Sequence, residues 1–285
     1  FVMFSTSEVE SSGILPPQGW NFIETVTFCN ELLITAIIVT MTDSFDEIFG
    51  NKSKIMVVMS HPDDTEIFAG GTIARLIKSG KEVRSIKMTA GNKGNRQEKI
   101  TEGELENLRI QEDKNAMKIL GIKDENNVNL EIGDGEVVNS LEIIGKIAQQ
   151  IRLFQPDIVI THNPEDVVIK HSSGESWINH RDHRNTGLST IDATYPYARD
   201  LLFYPEHFND PKAKSHTVTE YLLVDYYNHP DQIAIEITDF VETRVKALAC
   251  HSSQYSQQAA QDSTDFFTLE PDGKCYEKFR HVKVD

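Results

Sequence analysis

The chain has 285 residues, and its hydrophobic fraction of 39% is enough to build a sizeable core in one large domain. Its formal net charge of -16 at pH 7 argues against nucleic acid or an anionic membrane as a partner, because both would be repelled. The three cysteines, Cys29, Cys250 and Cys275, form no CxxC pair. This argues against a disulfide framework and favours a reduced, cytoplasmic setting.

The first fifty residues differ in pattern from the rest of the chain. Their apolar run, Leu32–Met41, is ten residues long, whereas a membrane span needs about 20. No Lys or Arg precedes Lys52, so the basic start of a signal peptide is missing. We therefore expect residues 1–52 to be an extension, either packed on the surface or poorly ordered, ahead of a domain at 53–285.

From Lys54 onward, strand and helix patterns alternate. Ile55–Met59 is an unbroken apolar run of the kind found in central parallel strands. A helix with apolar residues at Ile67, Ile73 and Leu76 follows it. Further strands are predicted at Glu82–Met88, Val128–Ile132, Asp157–His162 and Tyr221–Asp225, and further helices at Glu102–Leu120, Leu141–Ile151, from near His183, and at Ile237–Ala249. This order predicts an α/β fold, a Rossmann-like three-layer sandwich with a mainly parallel sheet.

Two polar clusters lie where ligands bind in folds of this kind. HPDD, at 61–64, follows the first predicted strand after Ser60, and NHRDHR lies at 179–184. Ligand crevices of open α/β sheets lie outside the carboxyl ends of the strands, so folding can bring the clusters together. Between them they supply three histidines and three aspartates, which suits a zinc site with three protein ligands and an open position. The residues alone thus indicate a metal-assisted hydrolase, with carboxylates left to orient ligands or move protons.

These strings also carry a family resemblance. HPDDTEIFAGGTIA, followed by NHRDHRNTG, resembles the PIG-L/LmbE-like family of zinc-dependent N-acetylglucosaminyl deacetylases. The segments LRIQEDKNAMKILGI, QPDIVITHNP and YEKFRH are similar to further family segments, so the resemblance covers roughly residues 53–285. The sequence departs from the common family strings at Ser60, at Thr65-Glu66 and at Arg181, where proline is frequent.

The resemblance implies a metal centre and a base. Carried over by position, the metal ligands fall on His61, Asp64 and His183. The general base falls on Asp63, beside a ligand but aimed at the bound water. Zinc is the implied ion, while Fe²⁺, Mn²⁺ or Co²⁺ suit the same two histidines and one carboxylate.

The resemblance implies further site residues around this centre. His180 matches the residue that stabilises the oxyanion or protonates the leaving amine, and Asp182 matches a catalytic carboxylate that orients a histidine. Arg109 matches an arginine that positions substrate in some members. Arg181 lies between two site residues, where it would affect substrate preference. Trp177 either stacks against a sugar ring or is an ordinary packed surface aromatic.

The implied reaction is removal of an acetyl group from an N-acetylated amino sugar or glucosamine conjugate by metal-bound water. Two alternatives stay open: an amidase acting on a larger thiol-sugar or lipid-linked conjugate, and a metal- or carbohydrate-binding protein without turnover. The expected partner is a small N-acylated amino sugar or conjugate, with no nucleic acid and no membrane span. Homo-oligomer formation is left open.

Overall fold

The computed structural model describes residues 41–95, 99–225 and 229–285. The compact unit Thr42–Asp285 holds the helices and strands given below. Apart from Met41, the apolar run Leu32–Met41 of the predicted extension lies outside the described residues, as does Cys29. Within the described ranges, no helix is both long enough and apolar enough to cross a membrane.

Helices and strands alternate through most of this unit. The helices are α1 (Phe45–Phe49), α2 (Asp64–Lys78), α3 (Glu102–Leu120), α4 (Leu141–Phe154), α5 (Arg181–Asp192), α6 (Val241–Leu248) and α7 (Gln257–Thr268). The strands are β1 (Lys54–Met59), β2 (Glu82–Thr89), β3 (Asn127–Ile132), β4 (Ile158–His162), β5 (Val168–Lys170), β6 (Ser176–Ile178), β7 (Glu220–Val224), β8 (Gln232–Glu236) and β9 (Tyr276–Lys283).

Seven of these strands form one sheet in the order β3-β2-β1-β4-β7-β9-β8. The first five in that order are parallel, and β9 runs antiparallel to both of its neighbours. β5 and β6 pair as a separate antiparallel hairpin between β4 and α5. The predicted α/β fold with a mainly parallel sheet is therefore confirmed.

Strand β1 explains the unbroken apolar run that predicted it. Successive side chains of a strand point to opposite faces of the sheet. Ile55 and Val57 pack into a core cluster shared with α2, whereas Met56 and Val58 pack into a second cluster shared with α4. Because helices cover both faces, both sets of side chains need to be apolar.

The chain joins this core before residue 53. Phe45 and Phe49 of α1 belong to the same core cluster as Ile55, and Asp43 forms an ion pair with Arg75 of α2 at 2.8 Å. The described part of the predicted extension thus contributes apolar contacts to the sheet. The domain boundary that we expect between residues 52 and 53 stays a prediction.

Several elements were missed or misplaced by the sequence patterns. β8, β9, α7 and the β5–β6 hairpin were not predicted, and α6 begins at Val241 rather than at Ile237. The backbone N–H of Ile237 donates to the carbonyl of Cys275 at 2.8 Å. Ile237 therefore continues the pairing of β8 with the chain beside β9 instead of starting the helix. The side chain of Ile237 is buried at this position. In the sequence, an apolar residue here fits a helical core position equally well, which explains the misplaced helix start.

Candidate functional site

The HPDD segment forms the turn between β1 and α2. Asp63 is the N-cap residue of α2, with φ of 98°, and its side chain makes no capping hydrogen bond. A positive φ is strained for a residue with a side chain, and such strain concentrates at functional sites. In this conformation the Asp63 carboxylate is not used by the helix and remains available for other contacts.

Arg109 of α3 forms an ion pair with the Asp63 carboxylate. Its Nη2 donates to Oδ2 of Asp63 at 3.0 Å and to the carbonyl of Pro62 at 2.6 Å, and its Nη1 donates to the carbonyl of Gly91 at 2.7 Å. Burial raises the pKa of Asp63 to about 6, with the Arg109 charge opposing the rise and the Asp64 charge adding to it. Asp63 is therefore mostly ionised at neutral pH yet able to accept a proton.

Asp64, the next residue, contacts three histidines. Its carboxylate lies 3.3 Å from Nδ1 of His61, 3.4 Å from Nε2 of His162 and 3.3 Å from Nε2 of His183. The backbone N–H of His61 also donates to it at 2.8 Å. Burial by itself would raise the pKa of Asp64, but His183 and the other two histidines hold it well below its usual range.

His183 and His162 form a stacked pair behind Asp64. Their ring centroids are 3.9 Å apart and the rings are inclined by 15°. Oδ2 of Asp225, which follows β7, lies 2.7 Å from Nδ1 of His162 and 3.5 Å from Nδ1 of His183. Burial lowers the pKa of His183, but Asp64 and Asp225 outweigh it and raise that pKa to about 10.

Gly187 is the reason that α5 can bring His183 so close to β4. An added Cβ at this position would lie 2.2 Å from the carbonyl oxygen of His162. This distance is too short for a carbon and an oxygen atom that are not bonded, so any side chain at this position would force the helix and the strand apart. Glycine one turn beyond His183 thus permits the close contact of helix and strand that stacks His183 on His162.

Two carboxylates lie on the other side of His61. Its Nε2 is 3.4 Å from Oδ1 of Asp134, in the turn after β3, and 3.4 Å from Oδ2 of Asp182. The backbone N–H of Gly135 donates to Asp182 at 2.7 Å. Burial lowers the pKa of His61, but Asp134, Asp182 and Asp64 together raise it well above its usual value.

His180 is the N-cap residue of α5 and lies at the solvent-facing side of the cluster. Its Nδ1 accepts a hydrogen bond from the backbone N–H of Asp182 at 3.1 Å, so the proton of the neutral ring is on Nε2. Its ring is 4.9 Å from that of His61 and 5.4 Å from that of His183. Burial and the charges of those two histidines lower its pKa, which favours the neutral form.

The three residues predicted to bind substrate differ in their exposure and surroundings. Arg181 is half exposed, and its Nη1 donates to the carbonyl of Gly135 at 2.8 Å. Trp177 lies in the β5–β6 hairpin, with its ring 6.1 Å from those of His171 and Phe267. Arg109 is only 4% exposed and contacts Asp63. Contact of any of the three with substrate stays a prediction.

Sequence reasoning missed three side chains that complete this cluster. His162 ends β4, Asp225 follows β7, and Asp134 lies in the turn after β3. Each comes at or just beyond the carboxyl end of a parallel strand, which is where such folds bind ligands. That position was the signal available in the sequence, because the strands themselves were predicted.

The donors in this cluster suit a divalent metal ion. Three sets of side chains place their ligand atoms within 4.8 Å of one another: His61 with His180 and His183, Asp64 with His162 and His183, and His61 with Asp134 and Asp182. Imidazole nitrogen and carboxylate oxygen are ligands of zinc and of similar ions. A cation would also offset the repulsion between the adjacent buried carboxylates of Asp63 and Asp64. The residues present therefore fit a metal centre.

Comparison with known proteins relates the chain to deacetylases. The sequence model of the family described as PIG-L, GlcNAc-PI de-N-acetylase, matches residues 56–194. The diacetylchitobiose deacetylase of Thermococcus kodakarensis is 28% identical over 228 residues, covering 78% of each chain.

Two solved structures share the fold. The N,N'-diacetylchitobiose deacetylase of Pyrococcus horikoshii superposes with a TM-score of 0.70 and 25% identity, covering 94% of this chain and 95% of that one. GalB of Pseudomonas putida, a 4-carboxy-2-hydroxymuconate hydratase, superposes with a TM-score of 0.65 and 18% identity, covering 82% and 97%. The fold thus also occurs in a hydratase, so the reaction has to be inferred from the site.

Proposed function

Because this chain carries a PIG-L family domain, we propose that it is a metal-dependent N-deacetylase of N-acetylated amino sugars. The observation that carries the proposal is the division of labour between two adjacent carboxylates. Asp64 is shared by three histidines, whereas Asp63 contacts none of them and is held by Arg109. Asp64 is thus suited to binding a cation, and Asp63 is suited to accepting and donating a proton.

We propose that His61, Asp64 and His183 hold the metal, and that zinc is the ion. Bound there, it would make water more acidic and polarise the amide carbonyl. Asp134 and Asp225 lie within 3.5 Å of nitrogens on His61 and His183 respectively. Carboxylates in such positions fix the orientation of ligand histidines.

Asp63 is the proposed general base. Its pKa of about 6 keeps it ionised at neutral pH, close enough to the working pH to take and return a proton. It accepts the proton of the attacking water, and later gives it to the amine nitrogen as the carbon–nitrogen bond breaks. General base catalysis of this kind contributes roughly 10²–10⁴-fold. The products are a carboxylate and a free amine.

His180 is the proposed oxyanion donor. Since its Nδ1 is occupied by the backbone N–H of Asp182, the Nε2–H is free to donate to the carbonyl oxygen as that oxygen gains charge. A donor of this type is worth about 10²–10³ in kcat in well-studied hydrolases. Asp182, which contacts His61, is proposed to orient that ring rather than to touch substrate.

The substrate class rests on the relatives. A sequence relative and a structural neighbour are both named as diacetylchitobiose deacetylases, so we propose an N-acetylglucosamine-containing saccharide or conjugate. Arg181, half exposed beside the site, is proposed to contact sugar hydroxyls. For Trp177 we propose contact with a more distant part of the substrate, because it packs against rings of the hairpin and of α7 among the described residues.

A substrate panel tests this proposal. The zinc-loaded protein is incubated with N-acetylglucosamine, N,N'-diacetylchitobiose, a thiol-sugar conjugate and an N-acetylglucosaminyl lipid, and released amine is measured. We expect hydrolysis of at least one of the two unconjugated saccharides. Turnover of the bulkier conjugates alone would favour the amidase alternative. Metal binding without turnover of any of the four would favour a binding protein.

A further inference from the structure

We propose that Asp225 is a positioning residue that fixes the ring orientation and tautomer of His183, with His162 stacked beside His183 as a spacer. The inference rests on the proposed function, since it assigns a purpose to Asp225 and His162 only if His183 holds a metal. It also assigns His162 a place outside the ligand set, although His162 lies as close to Asp64 as the proposed ligands do.

Asp225 lies at the carboxyl end of β7, next to β4 in the sheet. It is 4% exposed and has φ of 62°, a conformation that aspartate, asparagine and glycine adopt more readily than other residues. In this conformation the Asp225 carboxylate faces the imidazoles of His162 and His183. Both of these imidazoles are largely buried: His162 is completely so, and His183 is 16% exposed.

The hydrogen bonds of His162 define its tautomer. The backbone N–H of Ser60 donates to Nε2 of His162 at 3.3 Å, so that nitrogen acts as the acceptor. Nδ1 therefore carries the proton and donates to Oδ2 of Asp225 at 2.7 Å. The lone pair of Nε2, which also lies 3.4 Å from Oδ2 of Asp64, is thus used by the backbone N–H of Ser60 rather than offered to a cation.

His183 has a different pattern of contacts. Its Nδ1 faces the same Oδ2 of Asp225 at 3.5 Å, and its Nε2 faces Oδ1 of Asp64 at 3.3 Å. In the neutral ring that a metal needs, an N–H on Nδ1 directed at a carboxylate leaves Nε2 as the lone-pair nitrogen, on the side of the proposed metal. Outer carboxylates of this kind orient ligand histidines and raise their basicity.

The stacked arrangement explains why both histidines are present. The rings lie 3.9 Å apart and nearly parallel, so His162 fills the space that separates His183 from β4. The hydrogen bonds of His162 to Ser60 and Asp225 hold that spacer in place. The His162 ring thereby prevents the His183 ring from rotating toward β4.

The test is the zinc affinity of purified variants, measured by competition with a chromophoric chelator. Asp225→Asn keeps the size of the side chain and tolerates the positive φ, but it removes the charge. We expect its zinc dissociation constant to rise by about 10–100-fold, as for outer partners of other metal histidines. Asp192→Asn, at the far end of α5, is the matched control and should bind zinc like the wild type.

His162→Asn separates a spacer from a ligand. It should weaken zinc binding by the same order as Asp225→Asn, about 10–100-fold, and also serves if Asp225→Asn folds poorly. A loss as large as that of His183→Ala would make His162 a ligand and overturn the assignment. Circular dichroism and thermal unfolding confirm that each variant is folded.

A second readout reports on His183 itself. In the zinc-loaded wild type, ¹⁵N–¹H correlation of the histidine rings should find His183 protonated at Nδ1 and metal-bound at Nε2. In Asp225→Asn that fixed pattern should be lost or broadened. Wild-type zinc affinity in both variants, with an unchanged His183 spectrum, would overturn this inference and leave the proposed function intact. A wild type that binds no divalent ion would contradict the proposed function as well.

Discussion

The guanidinium of Arg109 holds the carboxylate of Asp63 at 3.0 Å across 46 positions of sequence. This contact puts a positive charge beside the one carboxylate of HPDD that no histidine contacts among the described residues. Burial raises the pKa of Asp63, and Arg109 opposes that rise. The pair therefore decides the pH above which the proposed base is active.

Arg109→Met is expected to raise the pKa of Asp63 further, because it removes the charge that opposes the effect of burial. The acid side of the pH profile of kcat/KM should then move upward from a midpoint of about 6. The measurement is deacetylation rate against pH in the zinc-loaded protein. Arg181→Met, which removes a half-exposed arginine without a contact to Asp63, is the control. If the acid limb of the Arg109→Met profile does not move, Arg109 does not control the pKa of the proposed base.

Asp63→Asn is expected to retain metal and lose hydrolysis. Asparagine preserves the shape and the positive φ of Asp63 but cannot accept the proton of water. The expected loss in kcat is roughly 10²–10⁴-fold, with one metal per chain retained by elemental analysis. By contrast, His183→Ala should lose the metal. Wild-type turnover in Asp63→Asn would remove Asp63 from the mechanism.

Gly187→Ala is expected to destabilise the protein, because the added methyl group would lie 2.2 Å from the carbonyl oxygen of His162. Overpacking of this kind costs about 1–3 kcal/mol in the free energy of unfolding. Zinc affinity should fall as well, since α5 carries His183. Urea unfolding checks the first effect and chelator competition the second.

Gly103→Ala is the control for that substitution. Gly103 lies in the first turn of α3, and nothing is within 4 Å of the position that its Cβ would take. Alanine there should leave zinc affinity unchanged and alter stability by no more than about 1 kcal/mol, in the stabilising direction. Equal effects of the two substitutions would contradict the account of how α5 approaches β4.

Metal uptake is expected to release protons near neutral pH. The pKa of His183 is raised to about 10 by Asp64 and Asp225 against the effect of burial, so the metal-free ring is protonated at pH 7.5. A metal needs the neutral ring, which means that affinity should increase as the pH rises toward 10. Calorimetry in buffers of different ionisation enthalpy should detect at least one proton released per ion. A binding enthalpy independent of buffer would contradict this.

The parts of the site that the sequence predicted are those on local motifs. HPDD and NHRDHR each keep their proposed ligands within one turn of a helix start, and β1 delivers His61 to the carboxyl edge of the sheet. Apolar runs and helical spacing were enough to place those elements. The contact between His61 and Asp182 then follows from a fold in which β1 and α5 meet at that edge.

The parts that could not be predicted depend on tertiary contacts. Asp225 reaches His183 only because β7 pairs with β4, and no local pattern encodes that pairing. The positive φ of Asp63 is likewise imposed by its surroundings rather than by the residue type. The role of Gly187 was not predicted either, because it depends on the backbone of a different element.

Metal-dependent deacetylation is tested most directly by acetate release from N,N'-diacetylchitobiose by metal-stripped and reconstituted protein. We expect no release after chelation, recovery on addition of one equivalent of zinc, and equal amounts of acetate and free amine. The same protein carrying Asp63→Asn should stay inactive after zinc is restored. Undiminished acetate release from the metal-free protein would rule out a metal-dependent reaction, and full activity of reconstituted Asp63→Asn would rule out Asp63 as its base.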